Sequence, residues 1–192
     1  MKGIIEKRIR ESIALKEDVL ANDNIKKQIE RLSLLVLEAF KNGKKLIFAG
    51  NGGSFSDSFH LSGEFVSRFL FDRPALPSIA LGGNNSIVTA IGNDYSYEDI
   101  FSRELFALGN IGDVFIPIST SGNSKNIINS INTAKKKGIV VFGLTGEGGG
   151  KMKDICNCIC VPSNDTARIQ EVHILIGHII CELVEKTFFE KS

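Results

Sequence analysis

The chain has 192 residues, 43% hydrophobic and 23% charged, with a formal net charge of +1. That size and balance suit one α/β domain over residues 1–192 with a single core, and leave no global field to draw in nucleic acid or an anionic membrane surface. No apolar run approaches the roughly 20 residues a membrane-spanning helix needs. The opening MKGIIEKRIRESIALKED is too charged for a signal peptide, so the expectation is a cytoplasmic protein with no membrane and no nucleic-acid partner.

Residues 1–43 predict two helices as an N-terminal extension to an α/β core over 44–192. Residues 2–20 place Ile5, Ile9, Ile13 and Leu20 at near-helical spacing. Asn24 is the expected cap of a second helix carrying Ile25, Ile29, Leu32, Val36 and Phe40, with Gly43 as its stop. The pattern then changes to short apolar runs that end in polar loops. Lys45–Gly50 (KLIFAG) reads as a strand, Asn51-Gly52-Gly53-Ser54 as a loop, and the residues to about Leu70 as a helix. Pro77–Leu81 (PSIAL) is a second strand. Asp113–Ser119 (DVFIPIS) is a third, followed by Thr120-Ser121-Gly122-Asn123-Ser124 and a helix to Lys137. The run Lys135-Lys136-Lys137 complements the negative end of that helix, which Gly138 stops. Ile139–Thr145 (IVVFGLT) and Asn157–Pro162 (NCICVP) are the fourth and fifth strands, and a last helix runs from Thr166 to about Glu190.

Short apolar strands alternating with helices predict a three-layer α/β/α domain around a five-stranded parallel sheet. Cys156, Cys158 and Cys160 alternate and would share one face of a strand, unlike the C-x-x-C spacing of zinc sites. With Cys181 they read as buried reduced thiols, metal ligation being the alternative. The apolar series on the two N-terminal helices, including Leu35, exceeds what a domain of this size shelters on its own sheet. Pairing with copies of the chain across two-fold axes is therefore expected.

Ligands of open parallel sheets bind beyond the carboxyl ends of the strands, where two polar loops fall here. In Gly50-Asn51-Gly52-Gly53-Ser54, glycines admit a ligand to the backbone and Asn51 offers an amide to a hydroxyl; a tight strand-to-helix turn would favour the same residues. Ser119-Thr120-Ser121-Gly122-Asn123-Ser124 brings four hydroxyls to a helix start, where free N–H groups and the positive helix end suit a phosphate. No G-x-x-x-x-G-K-[ST] occurs, which argues against ATP or GTP. His60 and Glu64, at i and i+4, share one helix face; alone they would read as a surface ion pair. Gln170 and His178 lie on the otherwise apolar last helix, where a histidine is either a satisfied core residue or a functional one.

Taken together, GNGGSFSDSFHLSGEFVSRF, IGNDYSYEDIFSRELFALG, DVFIPISTSGNSKNII, GLTGEGGGKM and DTARIQEVHILIGHII resemble the phosphoheptose isomerases of the sugar isomerase (SIS) domain superfamily, in order from about Leu35 to Glu185. The resemblance implies a flavodoxin-like SIS domain and an aldose–ketose isomerase acting on sedoheptulose 7-phosphate at the start of ADP- or GDP-heptose synthesis. It implies that Ser119, Thr120, Ser121 and Ser124 hold the phosphate, and that Asn51, Gly52, Gly53, Asn93, Asp94 and Gln170 contact the sugar. Glu64 and His178 match the catalytic pair. His60, Glu64, Gln170 and His178 match the ligands of one zinc ion per chain, and a homotetramer with sites at subunit interfaces is implied as well. The chain departs from the family pattern at Phe55, Ser58 and Ser67, and at Gly82-Gly83-Asn84-Asn85-Ser86, while Arg68 remains. A regulatory SIS protein without chemistry and an isomerase of another sugar phosphate are the rival readings; the retained Glu64 and His178 speak against the first.

Overall fold

The computed structural model of the chain describes residues 1–189. Helices α1 (Lys2–Ala21) and α2 (Asp23–Lys41) lead into β1 (Leu46–Gly50), α3 (Gly53–Val66) and β2 (Ser78–Ala80). Then come α4 (Asn85–Asp94), a 3₁₀ turn (Tyr97–Asp99), α5 (Ile100–Leu108), β3 (Val114–Ser119) and α6 (Lys125–Lys136). The chain continues through β4 (Val140–Thr145), α7 (Gly150–Ile155), β5 (Asn157–Cys160) and α8 (Thr166–Phe189). The predicted end of the last helix at Glu190 lies outside the described residues.

The described strands form a five-stranded, wholly parallel sheet in the order β2-β1-β3-β4-β5. Strand side chains alternate between the faces, so each strand feeds two cores. Phe48, Ile116 and Leu144 pack with α2, α3 and α8 on one face; Ile47, Ala49, Phe115 and Val141 pack with α4, α5 and α6 on the other. The three predicted layers are present. The strand order reverses direction between β1 and β3, and at such a switch point the loops leaving adjacent strands diverge and open a crevice. Those loops are Asn51–Gly52 and Thr120–Ser124, the two singled out by composition.

Several expectations need correction. The cap of α2 is Asn22, whose side-chain oxygen accepts the N–H groups of Asn24 and Ile25 at 3.0 and 3.2 Å; Asn24 is inside the first turn. Helix α3 stops at Val66, short of Leu70, because Phe69 and Leu70 turn their N–H groups to the Glu185 carboxylate, at 2.8 and 2.6 Å. The apolar series of α2 does not await a partner: Ile25, Ile29, Leu32 and Val36 are buried against this chain's own core. The surplus is confined largely to α1, where Ile4, Ile5, Ile9 and Ile13 are more than half exposed. Helix α1 is tied down at its middle by Arg168, which donates to the Arg8 carbonyl at 2.7 Å, and by Ser12, which donates to Glu171 at 2.7 Å. Of the cysteines only Cys181 is buried; Cys156, Cys158 and Cys160 are half-buried, and all four are free thiols. Among the described residues no helix is long and apolar enough to cross a membrane.

Candidate functional site

Helix α3 begins directly at the loop after β1 and carries His60 and Glu64 on one face of its second half. Helix α8 packs across α3 and carries His178 onto the same spot. The two imidazoles meet Nε2 to Nε2 at 2.9 Å, and Glu64 Oε1 lies 3.3 Å from His60 Nε2. One ligand atom from each of His60, Glu64 and His178 lies within 4.8 Å of the others. Two imidazoles and a carboxylate converging in this way could hold a metal ion, and this donor set suits zinc. His60 and Glu64 are not an isolated ion pair, and His178 is half-buried between the His60 imidazole and the Phe69 ring. The group remains open to solvent, since the His60 side chain is 49% exposed.

Gln170 lies two turns before His178 on α8, and its amide covers Gly53. A Cβ at Gly53 would stand 2.5 Å from Gln170 Nε2, so the glycine is what lets the glutamine reach the loop. Asn51 and Asn126 exchange two amide hydrogen bonds, each at 2.9 Å, and Tyr97 donates its hydroxyl to Asn51 Oδ1 at 3.0 Å. The loop after β1 is thereby fastened to α6, the helix that leaves the loop after β3.

In the second loop the Ser119 and Ser124 hydroxyls are 3.2 Å apart, and Ser121 Oγ accepts the Asn123 N–H at 3.2 Å. Ser124 is the cap residue of α6 but makes no side-chain capping bond, so the first N–H groups of that helix keep their capacity to bind an anion. Helix α7 supports the loop from behind: the Met152 N–H donates to the Gly122 carbonyl and the Lys151 N–H to Asn123 Oδ1, both at 3.0 Å. Asn93 and Asp94 end α4, hydrogen-bonded to each other at 2.8 Å and exposed; among the described residues neither bonds to Asn51 or to the second loop.

Two of the departures from the family pattern, Phe55 and the Gly82-Gly83 turn, explain one another. Phe55 and Phe59 pack ring to ring at 4.6 Å, and a Cβ at Gly82 or Gly83 would come within 2.8 Å of Phe55 or Phe59 respectively. Large rings on α3 are accommodated because the turn after β2 carries no side chains at these two positions. That turn is held by Glu104, a buried carboxylate that accepts the Gly82 N–H at 2.6 Å; burial raises its pKa and this bond opposes the rise.

Sequence reasoning passed over Asp57, Tyr97 and Asn126. Asp57 stands one turn before His60 with Oδ2 buried and without a hydrogen-bond partner among the described residues, and burial raises its pKa against the opposing pull of His60. Asn126 is buried, and its partner lies 75 residues away, so no local spacing marks it. His173, fully buried, sets Nε2 3.2 Å from the Thr145 carbonyl, and burial pushes its pKa down to about 4. For His173 the core reading of a histidine in α8 is the right one.

Comparison with known proteins gives the family of the chain. The SIS domain family matches residues 9–146. A phosphoheptose isomerase of Aneurinibacillus thermoaerophilus is 55% identical over all of this chain and 98% of its own length, and phosphoheptose isomerase 2 of Campylobacter jejuni is 53% identical over 100% and 96%. Among solved structures, a phosphoheptose isomerase from Francisella tularensis superposes with a TM-score of 0.91 at 34% identity, covering 96% of this chain and 97% of that one. A phosphoheptose isomerase from Neisseria gonorrhoeae gives 0.89 at 35%, covering 96% and 98%. With likeness along the whole chain, the chain belongs to the SIS domain family and, within it, to the phosphoheptose isomerases, which are aldose–ketose isomerases.

Proposed function

We propose that the chain converts sedoheptulose 7-phosphate to D-glycero-D-manno-heptose 7-phosphate through an enediol, the step that opens ADP- or GDP-heptose synthesis. The observation that carries this reading is the convergence of His60, Glu64 and His178, with the Asn51–Asn126 pair joining the loop at the start of α3 to the hydroxyl-rich helix start. Ser119, Thr120, Ser121 and Ser124 bind the phosphate with the first N–H groups of α6. Asn51, Gly52, Gly53, Asn93, Asp94 and Gln170 orient the sugar chain. Isomerisation moves a proton between C1 and C2 and another between their oxygens. Glu64 takes the proton from carbon and returns it to the neighbouring carbon. His178 passes the proton between the oxygens, the acid–base work for which an imidazole has one nitrogen to donate and one to accept.

One zinc ion per chain, held by His60, Glu64, Gln170 and His178, is part of the same reading; when bound it supplies Lewis-acid polarisation of the substrate oxygens. The active form is a homotetramer with sites at subunit interfaces, located in the cytoplasm. The exposed isoleucines of α1 and the open face of His60 support the assembly, and light scattering that finds a fully active monomer would refute it.

The deciding assay supplies purified protein with sedoheptulose 7-phosphate or with a pentulose 5-phosphate and follows the aldose product. The heptulose is expected to give the higher kcat/KM. Preference for the pentulose would overturn the substrate, and turnover of neither would overturn the reaction.

A further inference from the structure

The half-buried cysteines at the edge of the sheet have no part in the isomerase chemistry. Cys156 caps the C-terminus of α7 and Cys158 lies on β5, the edge strand, opposite Gly143 of β4. With one residue between them in extended chain, both point to the same side, and their sulfurs are 3.6 Å apart. Gly143 leaves the room beneath them: a Cβ there would stand 3.1 Å from Cys158 Sγ and 3.6 Å from Cys156 Sγ. The Lys135 ammonium sits close by, donating to the Ile155 carbonyl at 3.1 Å.

We propose that Cys156 and Cys158 form a dithiol–disulfide site whose closure loosens the phosphate loop. The oxidant is an external disulfide of the glutathione class. The Cys156 thiolate attacks one sulfur of that disulfide and expels the other as a thiol. Cys158 then attacks Cys156 Sγ and releases the second thiol. The protein gains one S–S bond and loses two S–H bonds; the external disulfide takes up the two electrons and both protons. The order of attack follows from the surroundings. A hydrogen bond from the Cys158 thiol lowers the pKa of Cys156 against the burial that raises it, with the Gly143 N–H and Lys135 adding to the lowering. Making that same bond, together with burial, raises Cys158, which is therefore the resolving thiol.

Coupling to the loop runs through Met152. Its carbonyl accepts the Cys156 N–H at 2.9 Å and lies 3.4 Å from Cys156 Sγ, while its own N–H holds the Gly122 carbonyl. Closing the disulfide contracts the sulfur separation to about 2.05 Å and removes the thiol proton that faces Met152. Helix α7 is less than two turns long, so displacement of its C-terminal end reaches the bonds to Gly122 and Asn123 at its start. This coupling rests on the reading of Ser119–Ser124 as the anion site.

The test uses the full chain equilibrated in reduced and oxidised glutathione, quenched in acid, alkylated and mapped by mass spectrometry, with inorganic phosphate titrated calorimetrically into each form. Wild type and Cys160→Ser are expected to lose two of the wild type's four alkylatable thiols as a single disulfide between 156 and 158. Phosphate affinity is expected to fall by about threefold to tenfold on oxidation. Cys156→Ser is expected to show neither change, and Cys158→Ser to stop at a mixed disulfide between Cys156 and glutathione. Persistence of all thiols under oxidising ratios, or a disulfide that uses Cys160, overturns the pair; a pair that closes without altering phosphate affinity overturns the coupling. Reduced protein that binds no phosphate refutes the anion-site reading and the coupling with it, while the thiol count still decides the pair.

Discussion

Arg73 and Glu185 offer the sharpest test of how the end of α3 is held. Both side chains are almost fully buried, and Arg73 Nε donates to Glu185 Oε1 at 2.9 Å. The guanidinium also donates to the carbonyls of Phe65 at 2.6 Å and Glu64 at 2.8 Å, the last turn of α3. The carboxylate in turn accepts the N–H groups of Phe69 and Leu70. Burial pushes the Glu185 pKa up, but these two N–H groups and Arg73 together outweigh it and leave the group below the usual glutamate range. Arg73→Met would remove the cation paired with this carboxylate and take a donor from two helix-end carbonyls, of which Phe65 keeps the Leu76 N–H at 3.1 Å. Breaking a buried pair from one side costs about 3–5 kcal/mol. The assay is urea unfolding at fixed protein concentration, because any oligomer makes stability concentration-dependent. A carboxyl with a depressed folded pKa contributes stability at neutral pH that is lost as pH falls through that pKa, so the gap between wild type and mutant should narrow in acid. A loss below about 1 kcal/mol at pH 7 would refute this account.

Four further outcomes follow from the site and core. Glu64→Gln should fold normally and lose at least about a hundredfold in kcat, as for a missing acid–base group; near-normal turnover would remove Glu64 from the mechanism. Ser121→Ala should weaken sugar-phosphate binding by about 1.5–3 kcal/mol, the worth of a charge-assisted hydrogen bond, and unchanged binding would assign the loop another role. Metal analysis of protein purified without chelator should find zinc at up to one ion per chain, whereas full activity after exhaustive chelation, with zinc shown absent, would make the ion dispensable. His173, neutral in the fold with its pKa near 4, binds its proton only on unfolding as pH drops below about 6.5. Urea midpoints should therefore report a loss of about 2 kcal/mol between pH 7 and pH 5 that is absent in His173→Gln; equal slopes in the two proteins would contradict this.

The elements legible in the sequence are those whose burial pattern repeats locally. The short apolar runs KLIFAG, DVFIPIS and IVVFGLT mark strands covered on both faces, and the polar loops after the first two announce the crevice because glycines and hydroxyls cluster within a few residues. Helices α4 and α5 escaped notice since each is ten residues or fewer and α4 mixes Asn, Gly and Ser with its apolar residues. The boundary of α3 escaped because its terminator, Glu185, stands 116 residues from Phe69. The site divides in the same way. Its residue types could be recognised as motifs, but spacing alone left His60–Glu64 as a surface pair and His178 as a core histidine. Only the packing of α8 across α3 brings the two imidazoles within 2.9 Å. The Asn51–Asn126 pair, the amide of Gln170 over Gly53, and the phenylalanine rings filling the space at Gly82 and Gly83 are likewise contacts between distant segments. Local periodicity reports which face of an element is buried, not which partner buries it, and that choice is made when the layers close.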